Sequence, residues 1–279
     1  MTQTLATYLD ELQAQREQRT RLLLADQGWL TLAGLFWLHE GENEMGSEPT
    51  CAIQLPAHSA PACAGVLTLD HGRVYLRAAP GVSLTLKDNV ITERELQHDM
   101  SGAPDFVTLG HLTLLIIQRG ARYGLRLFDT TAPARQNFPG LRWYAIDPAL
   151  RITANFTPYP SAQRLLITNV LGDTSEQESP GYATFTWQGQ NCSLVAEGRG
   201  AKLFFNFRDL TNQATTYPAG RFLYTDAPQE GKVTLDFNQA TNPFCAYTAF
   251  ATCPLPPAAN KLPVRIEAGE MRYPGKLQG

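Results

Sequence analysis

After the first 25 or so residues, the chain is dominated by short stretches in which apolar and polar residues alternate. From Trp29 onward these stretches are separated by Gly, Pro, Asn and Asp, as in WLTLAGLFWL, GVLTLD, RVYLRA, HLTLLIIQR, RLLITNVLG, KLFFNFRD and KVTLDFN. Alternation with period two indicates strands with one buried face, and regular turn residues between them are typical of antiparallel sandwiches and barrels. The pattern therefore predicts a mainly β protein.

One segment has a helical period instead. Leu5, Tyr8, Leu9 and Leu12 recur three or four residues apart, with charged residues between them. This spacing predicts an amphipathic helix over about residues 4–23, and no later segment predicts a helix convincingly.

A break in the strand pattern divides the rest of the chain. The stretch TTAPARQNFPG after Asp129 has no periodicity and contains two prolines, which indicates a linker or crossover. We predict three parts: an N-terminal amphipathic helix in residues 1–28, a β sandwich in 29–135, and a C-terminal antiparallel β sandwich or barrel in 136–279 that carries a loop rich in Cys and Pro.

Charge and length restrict the partners. The 279 residues carry a net charge of −3, so no long-range field attracts nucleic acid or an anionic membrane. The longest apolar stretch, around 112–117, is far below the roughly 20 residues that span a bilayer. The first residues lack the pattern of an export signal. We expect a cytoplasmic protein with neither a nucleic-acid nor a membrane partner; the sequence does not predict its oligomeric state.

The cysteines and the missing motifs exclude several chemistries. An odd number of cysteines and a reducing cytoplasm favour free thiols over a disulfide framework. The cysteines are Cys51, Cys63, Cys192, Cys245 and Cys253. The chain contains no C-x-x-C, H-x-x-x-H, G-x-S-x-G, P-loop or dinucleotide-binding pattern. We therefore predict no metal site and no cofactor.

Several long blocks resemble one family. The blocks are GWLTLAGLFWLHEGENEMGS, RGARYGLRLFD, FRDLTNQATTYPAGRFL and DFNQATNPFCAYTAFATCPLPPAANKLPVRIEAGE. They resemble the DUF1684 family of bacterial and archaeal proteins of unknown function, over nearly the whole chain from about residue 15. This resemblance implies a family and no reaction.

The first half also resembles forkhead-associated (FHA) domains. The order of Gly46-Ser47, Ile53–Leu55, the run AGVL from Ala64, and Asp105–Gly110 is similar to that family. The resemblance implies an FHA-like sandwich for residues 29–135. Phosphothreonine binding is not implied, because Ser47 replaces the family's Arg and the run SAPACA replaces its Ser-x-x-His.

Two arginines of the first half are candidate anion ligands. On a strand, Arg122 and Arg126 face the same way and could together bind a carboxylate or phosphate. Alternatively, Arg126 pairs with Asp129 or another acidic residue inside the protein.

Two residues of the second half are candidates at a sheet rim. Tyr217 precedes a Pro-Ala-Gly turn and Arg221 begins the next strand, so a phenol and a cation could meet there. The alternative is a packed aromatic ring whose hydroxyl is hydrogen-bonded internally.

The segment DFNQATNPFCAYTAFATCPLPP carries the remaining candidates. Asp236 and Asn238 are two residues apart, Asn242 precedes a proline, and later prolines stiffen the exit, which predicts a rigid loop held by its own side chains. Cys245 and Cys253 are compatible with a reactive or ligand-binding thiol pair, a short-loop disulfide, or two buried apolar residues.

These features favour a protein that binds a small polar or anionic ligand in a pocket of the C-terminal β domain. Arg122 and Arg126 are a further candidate site. The pocket residues are Tyr217, Arg221, Asp236, Asn238, Asn242 and Cys245. Two alternatives stay open: a hydrolase with Asp236 or Glu270 as general base, and an interaction module that docks partners on the sandwich rim.

Overall fold

The computed structural model describes residues 4–212 and 214–275. The helices are α1 (Leu5–Leu24) and α2 (Pro133–Gln136). The first eleven strands are β1 (Leu32–Trp37), β2 (Gly41–Gly46), β3 (Ile53–Gln54), β4 (Gly65–Asp70), β5 (Arg73–Ala78), β6 (Leu84–Leu86), β7 (Asn89–Ile91), β8 (Glu93–Leu96), β9 (Phe106–Leu109), β10 (Leu112–Arg119) and β11 (Arg122–Asp129). The others are β12 (Arg151–Thr168), β13 (Thr174–Trp187), β14 (Gln190–Val195), β15 (Glu197–Arg199), β16 (Lys202–Phe207), β17 (Arg221–Asp226) and β18 (Lys232–Asp236).

The mainly β class predicted from the alternation is confirmed. Helices account for 13% of the chain, well below the roughly one-third that is usual in globular proteins. The predicted N-terminal helix is α1. The additional helix α2 is a single turn with Pro at its start, where a missing N–H costs no helical hydrogen bond. Short 3-10 helices lie at Pro148–Leu150, Phe237–Gln239, Phe244–Ala246 and Ala258–Asn260.

The chain divides into two compact units. Among the described residues, the N-terminal unit contains 22–138, and the C-terminal unit combines 4–21 with 139–275. The first part of α1 thus belongs with the C-terminal half. The three-part division predicted from the sequence stays a prediction, since compactness does not show which segments fold independently.

The N-terminal unit is a β sandwich. One sheet has the strand order β1-β11-β10-β9-β6-β7 and the other has the order β3-β2-β4-β5-β8. Both sheets contribute to one apolar core, for example Leu67 and Leu76 from one sheet and Leu114, Ile116 and Leu125 from the other. The alternating residues of each strand provide this inner face, as the sequence pattern predicted.

The C-terminal unit also consists of two sheets, ordered β14-β13-β12-β18 and β15-β16-β17. Of the two alternatives predicted for this region, the described residues form a sandwich of separate sheets. Its core joins Phe156, Phe185 and Leu235 of the first sheet to Phe205 and Leu223 of the second.

The long β12–β13 hairpin of this unit is irregular. Its register shifts between Pro158 and Gln163. Pro158 and Pro160 have no N–H to donate to the neighbouring strand, which explains the irregularity. None of the described helices is long and apolar enough to cross a bilayer.

Candidate functional site

The predicted rigid loop begins where β18 ends. The carboxylate of Asp236 accepts a hydrogen bond from the backbone nitrogen of Asn238 at 3.2 Å and thereby caps the 3-10 helix Phe237–Gln239. The side chain of Asn238 in turn accepts from the backbone nitrogen of Asp147 and donates to its carbonyl oxygen. The prediction that Asp and Asn side chains satisfy backbone groups of this loop is confirmed.

Helix α1 supplies the main partner of Asp236. The hydroxyl of Tyr8 lies 3.0 Å from both carboxylate oxygens, and the Gln239 amide donates to one of them at 2.9 Å. Burial and the neighbouring Asp236 raise the pKa of Tyr8 to about 12, so the phenol remains a donor. The guanidinium of Arg151 lies 4.9 Å above the Tyr8 ring. Asp236 is therefore fixed within a buried network.

Glu270 is the centre of a second buried network. Its carboxylate accepts from the backbone and side-chain nitrogens of Asn242, at 3.0 and 2.9 Å, and from the Tyr247 hydroxyl. The Arg19 Nε of α1 lies 3.5 Å from it. Burial raises the pKa of Glu270, although Arg19 and the hydrogen bonds oppose this shift. The network ties the helix and the loop to the C-terminal segment.

Arg221 lies inside the unit rather than at a rim. Its side chain is fully buried and its Nη2 is 2.6 Å from Oδ2 of Asp209, which is also fully buried. The same guanidinium donates to the carbonyl oxygens of Ile266, at 2.9 Å, and Ala268. These contacts pair the buried guanidinium with a carboxylate and two carbonyl oxygens of the interior.

Tyr217 and Cys245 are in contact. The Tyr217 hydroxyl donates to the carbonyl oxygen of Cys245 at 3.0 Å. The backbone nitrogen of Cys245 donates to the sulfur of Cys253 at 3.2 Å. All five cysteines of the chain are free thiols in the structure. The structure therefore joins the predicted rim tyrosine to the Cys/Pro-rich loop.

Arg122 and Arg126 belong to the N-terminal unit and stack on different tryptophans. The Arg122 guanidinium lies 4.2 Å from the Trp37 ring centre, and that of Arg126 lies 4.9 Å from Trp29. Arg122 is exposed and Arg126 is buried, so the two side chains have different surroundings.

A groove of about 830 Å³ opens in the C-terminal unit. Residues of α1, β12, β16, β17 and β18 line it, and most of their side chains are polar. The charged residues of the lining are Glu11, Arg151, Lys202, Asp226, Glu230, Lys232 and Asp236. Among the eight residues predicted as site residues, Asp236 is the one that reaches this groove.

Sequence reasoning did not find the other groove residues. Glu11 lies on α1, Arg151 begins β12, Lys202 begins β16 and Asp226 ends β17. Charged residues at element ends are ordinary solvent-exposed positions, and no motif connects them. Only the packing of the helix beside the two sheets brings them to one groove.

Three side chains of the N-terminal unit could offer metal ligands. The ligand atoms of Glu40, Asp70 and His71 lie within 4.8 Å of one another. All three residues are exposed, and the Glu40 carboxylate already accepts from the backbone nitrogen of His71 at 2.8 Å. Exposed groups of this kind are common without a metal, so we assign no metal site.

A family model matches most of the C-terminal unit. Residues 136–271 match the model described as "Protein of unknown function (DUF1684)". Through this region, the chain belongs to the DUF1684 family. The DUF1684 region includes the loop, Arg221, Glu270 and most of the groove.

Among solved structures, the chain is similar to an uncharacterized protein of Haloarcula marismortui determined by NMR. The identity is 31%, the TM-score is 0.42, and the match covers 50% of this chain and 79% of that one. None of the curated proteins is significantly similar to the chain.

The structural neighbours include FHA domains. The FhaA FHA domain in complex with the intracellular domain of Rv3910 is 16% identical to the chain, with a TM-score of 0.25. The match covers 33% of this chain and 96% of that one. An FHA domain from an analysis of phosphothreonine-dependent interactions is also 16% identical, with a TM-score of 0.25, and the match covers 34% of this chain and 92% of that one. Likenesses at this level carry no argument about function.

Proposed function

We propose that this protein binds a small polar molecule that carries both positive and negative charge, in the groove of the C-terminal unit. The observation that supports the proposal is the composition of the lining. Cationic and anionic side chains face one opening of about 830 Å³, which is within the range of small-molecule sites. Binding takes place in the cytoplasm, as predicted from the sequence.

The polarity of the groove indicates the class of ligand. Pockets for apolar or drug-like molecules are lined mainly by hydrophobic and aromatic side chains. Here Lys202 and Lys232 offer ammonium groups, while Asp226 and Glu230 offer carboxylates. A ligand with charges of both signs, such as a free amino acid, can replace the water that hydrates both the ammonium groups and the carboxylates. A purely anionic ligand would meet the carboxylates unfavourably.

The floor of the groove is held in place before any ligand arrives. Asp236 is fixed by Tyr8, Asn238 and Gln239. A site whose groups are already ordered loses less conformational entropy on binding. We assign Asp236 this supporting role. The other predicted residues of the unit do not line the groove, and Arg122 with Arg126 stays a separate prediction.

The partly exposed ring of Tyr224 provides an aromatic contact surface for the ligand. Tyr224 is 51% exposed, lines the groove and packs against Phe204 with ring centres 4.8 Å apart. An aromatic face supported from behind can contact the apolar part or the cation of a ligand.

The geometry does not favour the hydrolase alternative. Glu270 is fully buried and its carboxylate is occupied by Asn242, Tyr247 and Arg19. Asp236 is 4% exposed and is bonded to three side chains. A general base must reach the proton that it removes. The interaction-module alternative stays a prediction.

The proposal can be tested by thermal shift and calorimetry with defined compounds. The full chain is titrated with free amino acids, with succinate as a dicarboxylate and with putrescine as a diamine. We expect at least one amino acid to raise the melting temperature and to give a saturable heat of binding, and the two singly signed compounds to do neither.

Two variants locate the binding. Lys202→Gln removes a groove cation whose side chain is 61% exposed, so it should weaken binding without changing the melting temperature of the free protein. The matched control is Arg164→Gln, which removes an exposed cation of β12 that does not line the groove. Equal binding by both variants, or tighter binding of succinate than of any amino acid, would contradict the proposal.

A further inference from the structure

Two sulfur atoms of the DUF1684 region share one small polar cluster. The Cys253 sulfur accepts a hydrogen bond from the Cys245 backbone nitrogen at 3.2 Å, so the two cysteines are direct neighbours. The Tyr217 hydroxyl donates a hydrogen bond to the Cys245 carbonyl oxygen at 3.0 Å. The fold thus brings the phenol of Tyr217 to the loop that carries both thiols.

These surroundings differ from those of a cysteine that only fills space. Cys192 lies in the apolar core of the same unit, and burial raises the pKa of its thiol. Cys245 and Cys253 are outside that core cluster and contact polar groups. They are 8% and 5% exposed, so a small reagent has limited access.

We propose that Cys245 and Cys253 are a redox-active dithiol that a peroxide closes to a disulfide. The Cys245 thiolate attacks one peroxide oxygen, the O–O bond breaks, and the sulfur becomes a sulfenic acid while hydroxide leaves. The Cys253 thiol then attacks this sulfur, forms the S–S bond and releases water. The two thiols lose two electrons in total, and the peroxide is reduced to two molecules of water.

The cluster assigns different roles to the two cysteines. Hydrogen bonding by Cys253 and Tyr217 lowers the pKa of Cys245 against the opposing effect of burial, whereas hydrogen bonding to Cys245 and burial both raise the pKa of Cys253. The thiolate is the form that reacts with peroxide. Cys245 therefore attacks the peroxide and Cys253 resolves the product, without any involvement of the groove.

Peptide mass spectrometry tests the proposal directly. The reduced full chain is treated with hydrogen peroxide at pH 7, alkylated and digested with trypsin. Cleavage after Lys232 and Lys261 releases residues 233–261, in which Cys245 and Cys253 are the two cysteines. We expect this peptide to lose about 2 Da, to resist alkylation, and to regain both alkylation sites after treatment with dithiothreitol.

Three variants distinguish the roles. Cys253→Ser should leave a sulfenic acid on Cys245 that dimedone traps. Tyr217→Phe should slow the oxidation at pH 7 but much less at pH 9, where the thiolate no longer needs the phenol. Cys192→Ala, the matched control, should leave the yield of the oxidised peptide unchanged.

Two results would overturn the proposal. One is a peptide 233–261 that is still fully alkylated after peroxide treatment. Oxidation of the exposed Cys63 in the same sample would show that the peroxide was active. The other is a loss of about 2 Da in peptide 233–261 that occurs only when the protein is oxidised in urea. The folded arrangement of the two thiols would then not promote the disulfide.

Discussion

Arg221 and Asp209 form an ion pair at 2.6 Å in which both side chains are fully buried. Asp209 also accepts from the backbone nitrogen of Thr211 at 2.7 Å, so the carboxylate is bonded on both of its oxygens. A buried charge that loses its partner keeps the cost of its removal from water. The pair therefore makes Arg221 a structural residue of the DUF1684 region.

Replacement of Arg221 by Met should destabilise the protein strongly. The variant leaves Asp209 buried without its cation and two carbonyl oxygens without a donor, so we expect a loss of about 3–5 kcal/mol in the free energy of unfolding. Urea denaturation followed by circular dichroism measures this loss.

The control is Arg265→Met. Arg265 lies 2.8 Å from Glu267, but the two side chains are 43% and 54% exposed, so the loss of unfolding free energy should be far smaller than for Arg221→Met. If Arg221→Met has the same free energy of unfolding as the parent, the buried pair does not stabilise the fold. The alternative prediction, that Arg221 faces a ligand, would then be favoured.

The Tyr8–Asp236 contact should give the stability a characteristic dependence on high pH. The pKa of Tyr8 is raised from 10.0 to about 12 in the folded chain, chiefly by burial and then by Asp236. The unfolded chain therefore loses the Tyr8 proton first. The stabilisation is fully present below pH 10 and is lost as the pH rises to about 12.

Tyr8→Phe should abolish that contribution. The difference in unfolding free energy between parent and variant should be positive at pH 8 and should decline between pH 10 and 12. Tyr159→Phe, a tyrosine of β12 outside this network, serves as the control. A constant difference across this window would show that the Tyr8 hydroxyl does not interact with Asp236.

We expect Gly46 not to tolerate replacement by a residue with a side chain. A Cβ at this position would overlap the carbonyl oxygen of Ala62 and would lie 2.9 Å from the Cα of Cys63. Both obstacles are backbone, so they cannot rotate away. We expect Gly46→Ala to lower the melting temperature clearly.

Gly110→Ala is the matched control for Gly46. A Cβ at Gly110 meets nothing within 4 Å, and its φ of 57° costs roughly 1–2 kcal/mol for a residue other than glycine. If both alanine variants melt alike, the close approach of the segment around Ala62 to β2 is not essential to the N-terminal sandwich.

The sequence by itself determined the class of the fold. Alternation with period two indicated strands, because a strand in a two-layer protein buries every second residue. The spacing of Leu5, Tyr8, Leu9 and Leu12 indicated α1 for the same kind of reason. The polar residues and prolines of the loop after Asp236 indicated a rigid segment that satisfies its own backbone. These are local properties, so a single sequence contains them.

The tertiary structure decided which residues meet. Tyr8 and Asp236 are 228 positions apart, and Arg221 pairs with Asp209 although Asp236 was an equally good partner by charge. Burial also decided that Arg221 and Glu270 are internal, whereas Lys202 and Asp226 face the groove. Pairing and exposure depend on how helix and sheets pack across long chain separations, and local periodicity does not contain that information.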